Sequence, residues 1–189
     1  MWGLGIATTR ALSVVGSPGR VRREEIETAA VVTRVAPSFV RFGHFEHFAA
    51  KQDREALEQL LAHVASLLDP ELANLPLHEQ ALSVLQHTVT RTAELIAQWQ
   101  GVGFCHGVMN TDNMTLSGQT IDYGPCAFME AHHAEAVFSS IDHAGRYAYN
   151  KQPRIAQWNL ERLAEALLPL IHTNPDEAIA LATNTMPTR

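Results

Sequence analysis

Three oxygen-bearing side chains lie close together in the second half of the sequence, within two short motifs. Residues 106 to 113 read HGVMNTDN and end on Asp112 and Asn113, and residues 121 to 124 read IDYG and contain Asp122. Hard divalent cations such as Mg²⁺ take oxygen ligands, commonly one or two from the protein, while phosphates and water complete the shell. Asn113 and Asp122 are therefore candidate metal ligands, and Asp112 is a carboxylate that can accept a proton beside them.

The order and spacing of these residues match the metal-binding half of a protein-kinase active site. A kinase catalytic loop reads H-R-D-x-x-x-x-N, in which the asparagine holds a metal, and a later D-F-G supplies a second metal ligand. His106 and Asn113 occupy the first and last positions of that frame, and Asp122 begins a D-Y-G nine residues after Asn113. The sequence therefore indicates a site that handles a metal and phosphates.

The same motif departs from the kinase pattern at the catalytic base. Gly107 and Val108 stand where kinases have the arginine and the aspartate that accepts the substrate proton. Asp112 is the nearest acid that can replace this base. A simpler interpretation remains open on these letters alone: Asp112 and Asn113 cap a turn, and residues 122 to 124 form a hairpin bend.

Strands at the start of the chain and helices after it must position these motifs. β-branched runs at residues 11 to 15 and 28 to 35, separated by a turn signal at 16 to 19, predict a β-hairpin. Residues 104 to 130 break the helical period and are typical of loop, strand, turn and strand, with the turn at Ser117 and Gly118. Helices are predicted from about 38 to 50, from 53 to 68, from about 78 to 100, from 153 to 171, and near 176 to 182.

Composition limits the classes of protein and partner. The 189 residues are 46% hydrophobic and 18% charged, which is typical of one soluble globular domain or part of one. A net charge of -6 argues against a general nucleic-acid binder, and no apolar run approaches the roughly 20 residues of a membrane span. The two cysteines fit a reducing compartment. We therefore expect a cytoplasmic protein with neither a nucleic-acid nor a membrane partner.

Over longer stretches the sequence resembles the selenoprotein O family of kinase-fold proteins. The similarity is carried by HGVMNTDNM and TIDYGP, and it extends through LGIATTRAL, VVTRVAPSFVRFGHFE, IDHAGRYAYNKQP and WNLERLAEALLPLI, roughly residues 3 to 171. The resemblance implies an α+β, predominantly helical fold. In it, residues 1–37 are the remaining β-hairpin of a kinase-like N-lobe, residues 38–172 form the helical C-terminal lobe, and residues 173–189 are a tail.

The resemblance also implies protein adenylylation. The family transfers AMP from ATP, with Mg²⁺ or Mn²⁺, to serine, threonine or tyrosine hydroxyls of proteins. Carried over by position, Asp112 is the base, Asn113 and Asp122 bind the metal, and Arg34 and Arg41 hold the γ-phosphate. Guanidinium groups suit that role because they fork onto phosphate oxygens. Without the resemblance, both arginines would be interpreted as solvated residues at a strand end.

Two parts of a kinase-like site have no counterpart in the sequence. Such enzymes use a Gly-rich loop over the phosphates and a strand lysine paired to a helix glutamate. Here the first lysine is Lys51, and no Gly-rich loop precedes the hairpin. The resemblance therefore suggests an internal fragment with impaired catalysis. The alternative is an inactive pseudokinase remnant that binds nucleotide or a partner protein, whereas Val108 disfavours an ordinary protein kinase.

Other reactive side chains in the sequence are better explained by structural roles than by catalysis or metal binding. Cys105 beside His106 resembles a nucleophilic pair, but sequence neighbours point in different directions and such pairs form in space. The ten histidines lack the spacing of a zinc site. Arg146, in the segment after D-Y-G, is predicted to pair with a structural carboxylate, with contact to a protein substrate as the other possibility.

Overall fold

Helices make up most of the ordered elements of the chain. The computed structural model describes residues 1–22 and 25–186. Within them lie five α-helices and two small antiparallel sheets, so the predicted α+β class is confirmed. The elements in chain order are β1 (Arg10–Arg22), β2 (Ile26–Val35), α1 (Phe42–Ala50), α2 (Arg54–Leu68), α3 (Leu77–Gly101), β3 (Phe104–Cys105), β4 (Ala127–Phe128), α4 (Gln152–Ile171) and α5 (Pro175–Thr185).

The N-terminal hairpin is longer than the sequence predicts. β1 pairs with β2 from Arg10 opposite Val35 to Arg22 opposite Ile26. The prediction of a turn at residues 16 to 19 is wrong, because these residues lie inside β1, where the register shifts between Gly16 and Arg20. A bulge accommodates the extra residues without reversing the chain. Arg22 and Ile26 are the last paired residues of the two strands, and residues 23 and 24 fall outside the described part.

Both faces of the hairpin are open to solvent. The cross-strand pair of Val14 and Val32 lies on one face, the pair of Val15 and Val31 lies on the other, and all four side chains are exposed. Side chains alternate between the faces of a strand, so a sheet that buried one face would cover one of these pairs. The hairpin therefore contributes little to the hydrophobic core of the described chain.

The helices follow the apolar periodicity of the sequence. α2 begins after Asp53, whose side chain accepts a hydrogen bond from the Ala56 N–H at 3.1 Å, and it ends before Asp69. The longest helix, α3, buries one face at three- and four-residue spacing and ends at Gly101. α4 has Pro153 in its first turn, where a missing N–H leaves no helical bond unmade. The predicted helices are confirmed to within a few residues.

The core forms where the helices meet around α4. This helix packs against α1, α3 and α5, and α3 also packs against α2. The largest side chains that are almost completely buried are those of Trp99, Phe42, Phe45, Phe104, Leu57, Leu61, Leu85, Met109, Leu116, Ile121, Leu163 and Leu167. No helix in the described ranges combines the length and the apolar character needed to cross a bilayer.

Extended segments connect the loop region to the rest of the chain. The Phe42 N–H donates to the Met114 carbonyl at 3.0 Å, and the Leu116 N–H donates to the Val40 carbonyl at 3.3 Å. A helix was predicted from about residue 38, but α1 begins only at Phe42, because residues 40 to 42 pair with residues 114 to 116. The predicted turn at Ser117 and Gly118 is confirmed, with Gly118 at φ 67°.

The two extended pieces around that turn do not pair with each other, contrary to a simple strand, turn, strand interpretation. Thr115 forms a bridge with Arg41, and Thr120 forms a parallel bridge with Thr8. The Trp99 indole N–H also donates to Thr120 Oγ1 at 3.0 Å. The segment that leads into Asp122 is therefore fixed by the N-terminal residues and by α3.

Candidate functional site

The loop of residues 106–113 is fastened to α4 by two buried amide side chains. The Gln152 side chain accepts from the His106 N–H at 2.8 Å and donates to the Phe104 carbonyl at 2.9 Å. Asn159 donates to the Met109 carbonyl at 2.8 Å. Both amides are fully buried, so these bonds do not compete with bulk water. The backbone that leads to Asp112 and Asn113 is thus held at two points by one helix.

Asn113 is the last residue of a short 3-10 turn, Thr111–Asn113, and the loop itself orients its side-chain amide. Its side-chain N–H donates to the Val108 carbonyl at 2.9 Å, and its backbone N–H donates to the Asn110 carbonyl at 3.0 Å. Because the amide nitrogen is occupied, the oxygen Oδ1 is the atom that remains for a ligand. This orientation suits a metal ligand, since only the oxygen of an amide binds a cation.

The carboxylate of Asp112 lies against the first turn of α1. Asp112 is exposed, but a Cβ built on Gly43 would overlap Asp112 Oδ1. Glycine at this position therefore makes room for the candidate base, which sequence reasoning missed. The only signal in the sequence is a glycine in the first turn of a helix, where it costs helix stability relative to alanine.

Asp122 lies on the second segment of the site, directly after the buried Ile121. Its Oδ2 accepts from the Gly124 N–H at 3.2 Å, which folds residues 122 to 124 into a tight bend and leaves Oδ1 available. A Cβ added to Gly107, which has φ 84°, would lie 2.6 Å from the Pro125 carbonyl oxygen. The two motifs are therefore in close backbone contact, and this contact leaves no room for the arginine that kinases have at the position of Gly107.

His106 is the buried link between the two motifs. Its Nδ1 accepts from the Val108 N–H at 3.3 Å, whereas its Nε2 has no hydrogen-bond partner among the described residues. Burial lowers the pKa of His106 to about 4, although the nearby Asp122 carboxylate acts in the opposite direction. His106 is therefore neutral at physiological pH, and it acts as a packing and hydrogen-bonding residue beneath the site.

The two predicted phosphate-binding arginines lie beside these motifs. The Arg34 guanidinium donates to the Ile121 carbonyl, one residue before Asp122, and reaches Thr9 Oγ1 at 3.5 Å. Arg41 pairs through its backbone with Thr115, two residues after Asn113. Thus each arginine is next to the segment that carries one candidate metal ligand.

The comparison with known families assigns the chain to one family. The family model described as protein adenylyltransferase SelO matches residues 1–184. The chain belongs to the SelO family. The match includes the hairpin, both motifs of the site, helices α1 to α4, and α5 up to residue 184.

Curated relatives of this SelO chain carry the name protein nucleotidyltransferase YdiU. The relative from Cupriavidus metallidurans is 56% identical over 170 residues, which are 90% of this chain and 31% of the relative. The relatives from Cupriavidus pinatubonensis and Burkholderia thailandensis are 55% and 58% identical, over 94% and 92% of this chain and 34% and 33% of their own lengths. The chain spans about a third of the length of the curated relatives it matches.

The oxygen atoms at the SelO site fit a hard divalent cation. Asn113 and Asp122 each keep one side-chain oxygen free of the hydrogen bonds that fix the group. No cluster of three or more histidine, cysteine or carboxylate side chains suited to a metal occurs in the described ranges. A site with one amide and one carboxylate would not form such a cluster, and it suits Mg²⁺, which takes few protein ligands when phosphates are present.

The two cysteines of this SelO chain do not form a nucleophilic pair with His106. The Cys105 thiol is directed to the Ala136 and Tyr147 carbonyls, at 3.8 and 3.6 Å. Burial raises the pKa of the Cys105 thiol and also that of Cys126, so the reactive thiolate is disfavoured in both. Cys105 is therefore a buried structural residue.

The N-terminal segment before β1 is part of the site, which sequence reasoning also missed. Tyr123 Oη forms a short hydrogen bond with Thr8 Oγ1, and the Thr9 N–H donates to the Thr120 carbonyl at 3.1 Å. The β-branched residues at positions 8 and 9 were a weak signal of extended backbone. Both ends of the segment 120–123 are thereby fixed on the side of the hairpin.

Proposed function

We propose that this chain carries the metal- and triphosphate-binding part of a protein adenylyltransferase site, in which AMP passes from ATP to a serine, threonine or tyrosine hydroxyl of a protein. The observation that supports this most directly is the contact between the 106–113 loop and the 121–125 segment. It brings the Asn113 amide oxygen and the carboxylates of Asp112 and Asp122 to adjoining segments. Arg34 and Arg41 lie beside the same segments through separate contacts with Ile121 and Thr115. Membership of the SelO family supports the choice of adenylyl transfer.

The helical part of the chain is proposed to be the C-terminal lobe of a kinase-like fold. The order of hairpin, helices, loop, D-Y-G and α4 supports this, as does the buried histidine at the start of the loop. The chain spans about a third of the length of its relatives. We therefore propose adenylyltransferase activity for the complete site of a whole SelO protein, to which this chain contributes the residues described above.

In the proposed reaction, Asp112 acts as general base. It accepts the proton of the protein hydroxyl as the hydroxyl oxygen forms a bond to the α-phosphorus of ATP, and the bond from that phosphorus to the bridging oxygen breaks to release pyrophosphate. Asn113 and Asp122 would hold a Mg²⁺ or Mn²⁺ ion, which would neutralise charge on the phosphates. Arg34 and Arg41 bind the γ-phosphate, so that the α-phosphate faces the hydroxyl.

Transfer of the γ-phosphate is a weaker proposal than transfer of AMP. Val108 has no proton acceptor in its side chain, and its carbonyl already accepts from Asn113. A nucleotide-binding remnant without catalysis is the second candidate. The observation in its favour is that the first lysine is Lys51, in a helix-end position after the hairpin, so no lysine of β1 or β2 can orient the phosphates.

Nucleotide-dependent stabilisation tests the site without requiring catalysis. We expect ATP with Mg²⁺ to raise the melting temperature of the chain by several degrees at saturation, since a ligand at a hundred times its Kd stabilises by about 2.7 kcal/mol. Asn113→Ala and Asp122→Ala should abolish the rise, whereas the exposed Asn150→Ala should keep it. A rise of equal size without metal, or in both site variants, would contradict the proposed ligands.

The γ-phosphate assignment is tested by comparing ATP with AMP. Arg34→Gln and Arg41→Gln should weaken ATP binding about tenfold, because a charge-assisted pair is lost, and should leave AMP binding almost unchanged. Arg20→Gln removes the same charge from an exposed position of β1 and should affect neither. Equal loss of ATP and AMP binding would assign the arginines a structural role.

Catalysis is measured with labelled ATP and a protein acceptor. Label from the α-phosphate that becomes covalently attached to protein, and is lost in Asp112→Ala, supports adenylyl transfer. Label from the γ-phosphate instead would favour a kinase. Metal-dependent nucleotide binding with no attachment of either label would favour a nucleotide-binding remnant without catalysis. We expect attachment of AMP by this chain alone to be slow, because the phosphate-orienting lysine has no counterpart in the hairpin.

A further inference from the structure

A cationic surface built around one tryptophan lies on the outer side of α4. The Arg146 guanidinium carbon lies 4.6 Å from the centre of the Trp158 ring, and that of Arg162 lies 5.6 Å from it. Arg154 is one helical turn before Trp158 on the same helix and is exposed. We call these four residues the Trp158 surface.

The charges of the Trp158 surface are only partly neutralised. Arg162 forms an ion pair with Glu165 at 2.5 Å, but neither Arg146 nor Arg154 has a carboxylate partner within the described residues. The ion pair that the sequence predicts for Arg146 is therefore absent within the described residues. Arg146 and Arg154 therefore keep guanidinium donors available on a protein whose net charge is -6.

Arg146 is presented by a rigid turn. The Asp142 carboxylate accepts from the Arg146 N–H at 2.8 Å and from the Tyr147 N–H at 2.7 Å, so both of its oxygens serve the backbone. The Lys151 ammonium donates to the Gly145 carbonyl at 2.8 Å and closes the same turn. Asp142 and Lys151 thus fix the segment 142–147, and the Arg146 side chain lies over the tryptophan instead of pairing locally.

A pocket that is open to solvent adjoins the Trp158 ring on the surface of α4. Its volume is about 400 Å³, and it is lined by Arg154, Gln157, Trp158 and Glu161. The Gln157 side chain donates to Glu161 at 3.2 Å, which leaves carboxylate acceptor capacity at the pocket. A ligand that matches this lining has acidic groups for the two free arginines, an N–H donor for Glu161, and a side chain that can pack on the indole.

We propose that the Trp158 surface binds an acidic peptide segment of a partner protein. This inference goes beyond the proposed function and does not depend on it. Charge complementarity selects the carboxylates, and backbone N–H groups of an extended peptide match Glu161. A nucleic acid fits less well, because it carries a charge at every phosphate and its sugar-phosphate backbone has no N–H donor for Glu161.

Fluorescence anisotropy of a labelled glutamate-rich peptide tests the proposal on the full chain without nucleotide. We expect saturable binding that weakens at high salt, about tenfold weaker binding for Arg146→Gln and for Arg154→Gln, and weaker binding for Trp158→Leu. Arg20→Gln controls for the loss of one positive charge at a distant exposed position and should bind as the unaltered chain does. The same peptide with glutamine in place of glutamate should not bind.

Several outcomes would overturn the proposal. These are no binding, equal binding by Arg146→Gln, Arg154→Gln and the unaltered chain, or competition by single-stranded oligonucleotide as strong as that of the acidic peptide. Circular dichroism and melting temperature show whether each variant is folded, and the glutamine peptide tests the charge requirement with no change to the protein. Because the assay contains no ATP, its failure leaves the metal-dependent nucleotide shift intact, whereas failure of that shift alone would overturn the proposed function.

Discussion

At the scale of single residues, the candidate site depends on two glycines that leave no space for a side chain and on one buried histidine that stays uncharged. Gly43 and Gly107 each lie where a Cβ would overlap another segment, Asp112 in one case and the backbone of Pro125 in the other. His106 lies beneath the two motifs as a neutral ring, because its burial penalises the imidazolium form. These residues shape the site without being expected to contact a substrate.

The neutral state of His106 predicts a loss of stability in mild acid. The pKa of the folded state, about 4, is below the ordinary value of 6.5, so the unfolded chain binds this proton first as the pH falls. The contribution is fully present above pH 6.5 and is lost as the pH falls towards 4, up to about 3 kcal/mol. Urea denaturation across this range should show the loss.

A variant isolates the contribution of His106 from those of the other histidines. His106→Gln should have lower stability near neutrality and a shallower dependence on pH between 6.5 and 4, because the titrating group is gone. His143→Gln, at an exposed position, should retain the steep dependence of the unaltered chain. Parallel curves for the unaltered chain and His106→Gln would show that another group causes the acid sensitivity.

At the scale of elements, α4 organises the site from below. Gln152 and Asn159 lie on the same helix, and together they bind the backbone of Phe104, His106 and Met109. Extended pairing of residues 40 to 42 and 7 to 9 with the loop region fixes the site from the other side. The loop therefore has little secondary structure of its own and still has a defined backbone.

Removal of the Gln152 amide is expected to destabilise the chain by about 3 kcal/mol. Gln152→Leu leaves a buried N–H and a buried carbonyl without partners, and each such group costs on the order of 1 to 3 kcal/mol. Where its carboxyl is protonated, Gln152→Glu keeps both an acceptor for the His106 N–H and an O–H donor for the Phe104 carbonyl. Chemical denaturation should rank the leucine variant as the less stable where the glutamate is protonated.

The control for this prediction is a leucine at an exposed glutamine of another helix. Gln98→Leu on α3 changes the same side chain without breaking a buried bond, so its effect should stay within about 0.5 kcal/mol. If Gln152→Leu costs no more than Gln98→Leu, the buried amide does not hold the loop.

At the scale of the whole molecule, the stability of the chain is unevenly distributed. The helices share one core around α4, whereas the hairpin of β1 and β2 has exposed side chains on both faces, with Leu12 70% and Val31 64% exposed. A two-stranded hairpin without a packed face is marginally stable in water. The Arg34 contacts with Ile121 and Thr9 join the base of the hairpin to the site.

Hydrogen exchange should resolve this difference. We expect the amides of β1 from Val14 to Arg22 and those of β2 from Ile26 to Val32 to exchange orders of magnitude faster than the central amides of α3 and α4, because local opening of the hairpin exposes almost no core. The exchange is followed by mass spectrometry or NMR. Protection of the hairpin equal to that of α3 would contradict the expectation, and sedimentation would then show whether a second copy covers it.

The sequence by itself determined the elements whose causes are local. The spacing of apolar residues predicted α2, α3 and α4. The spacing of Asp112, Asn113 and Asp122 predicted the candidate site and its proposed chemistry. Both patterns involve residues that are close together in the sequence. Only the tertiary structure decided the features that depend on distant partners. They include the late start of α1, the bulge at residues 16 to 20, the buried clamps of Gln152 and Asn159, and the pairing of Arg146 with Trp158. Pairing between distant segments depends on which surfaces meet when the core forms, and no local pattern of residues specifies that.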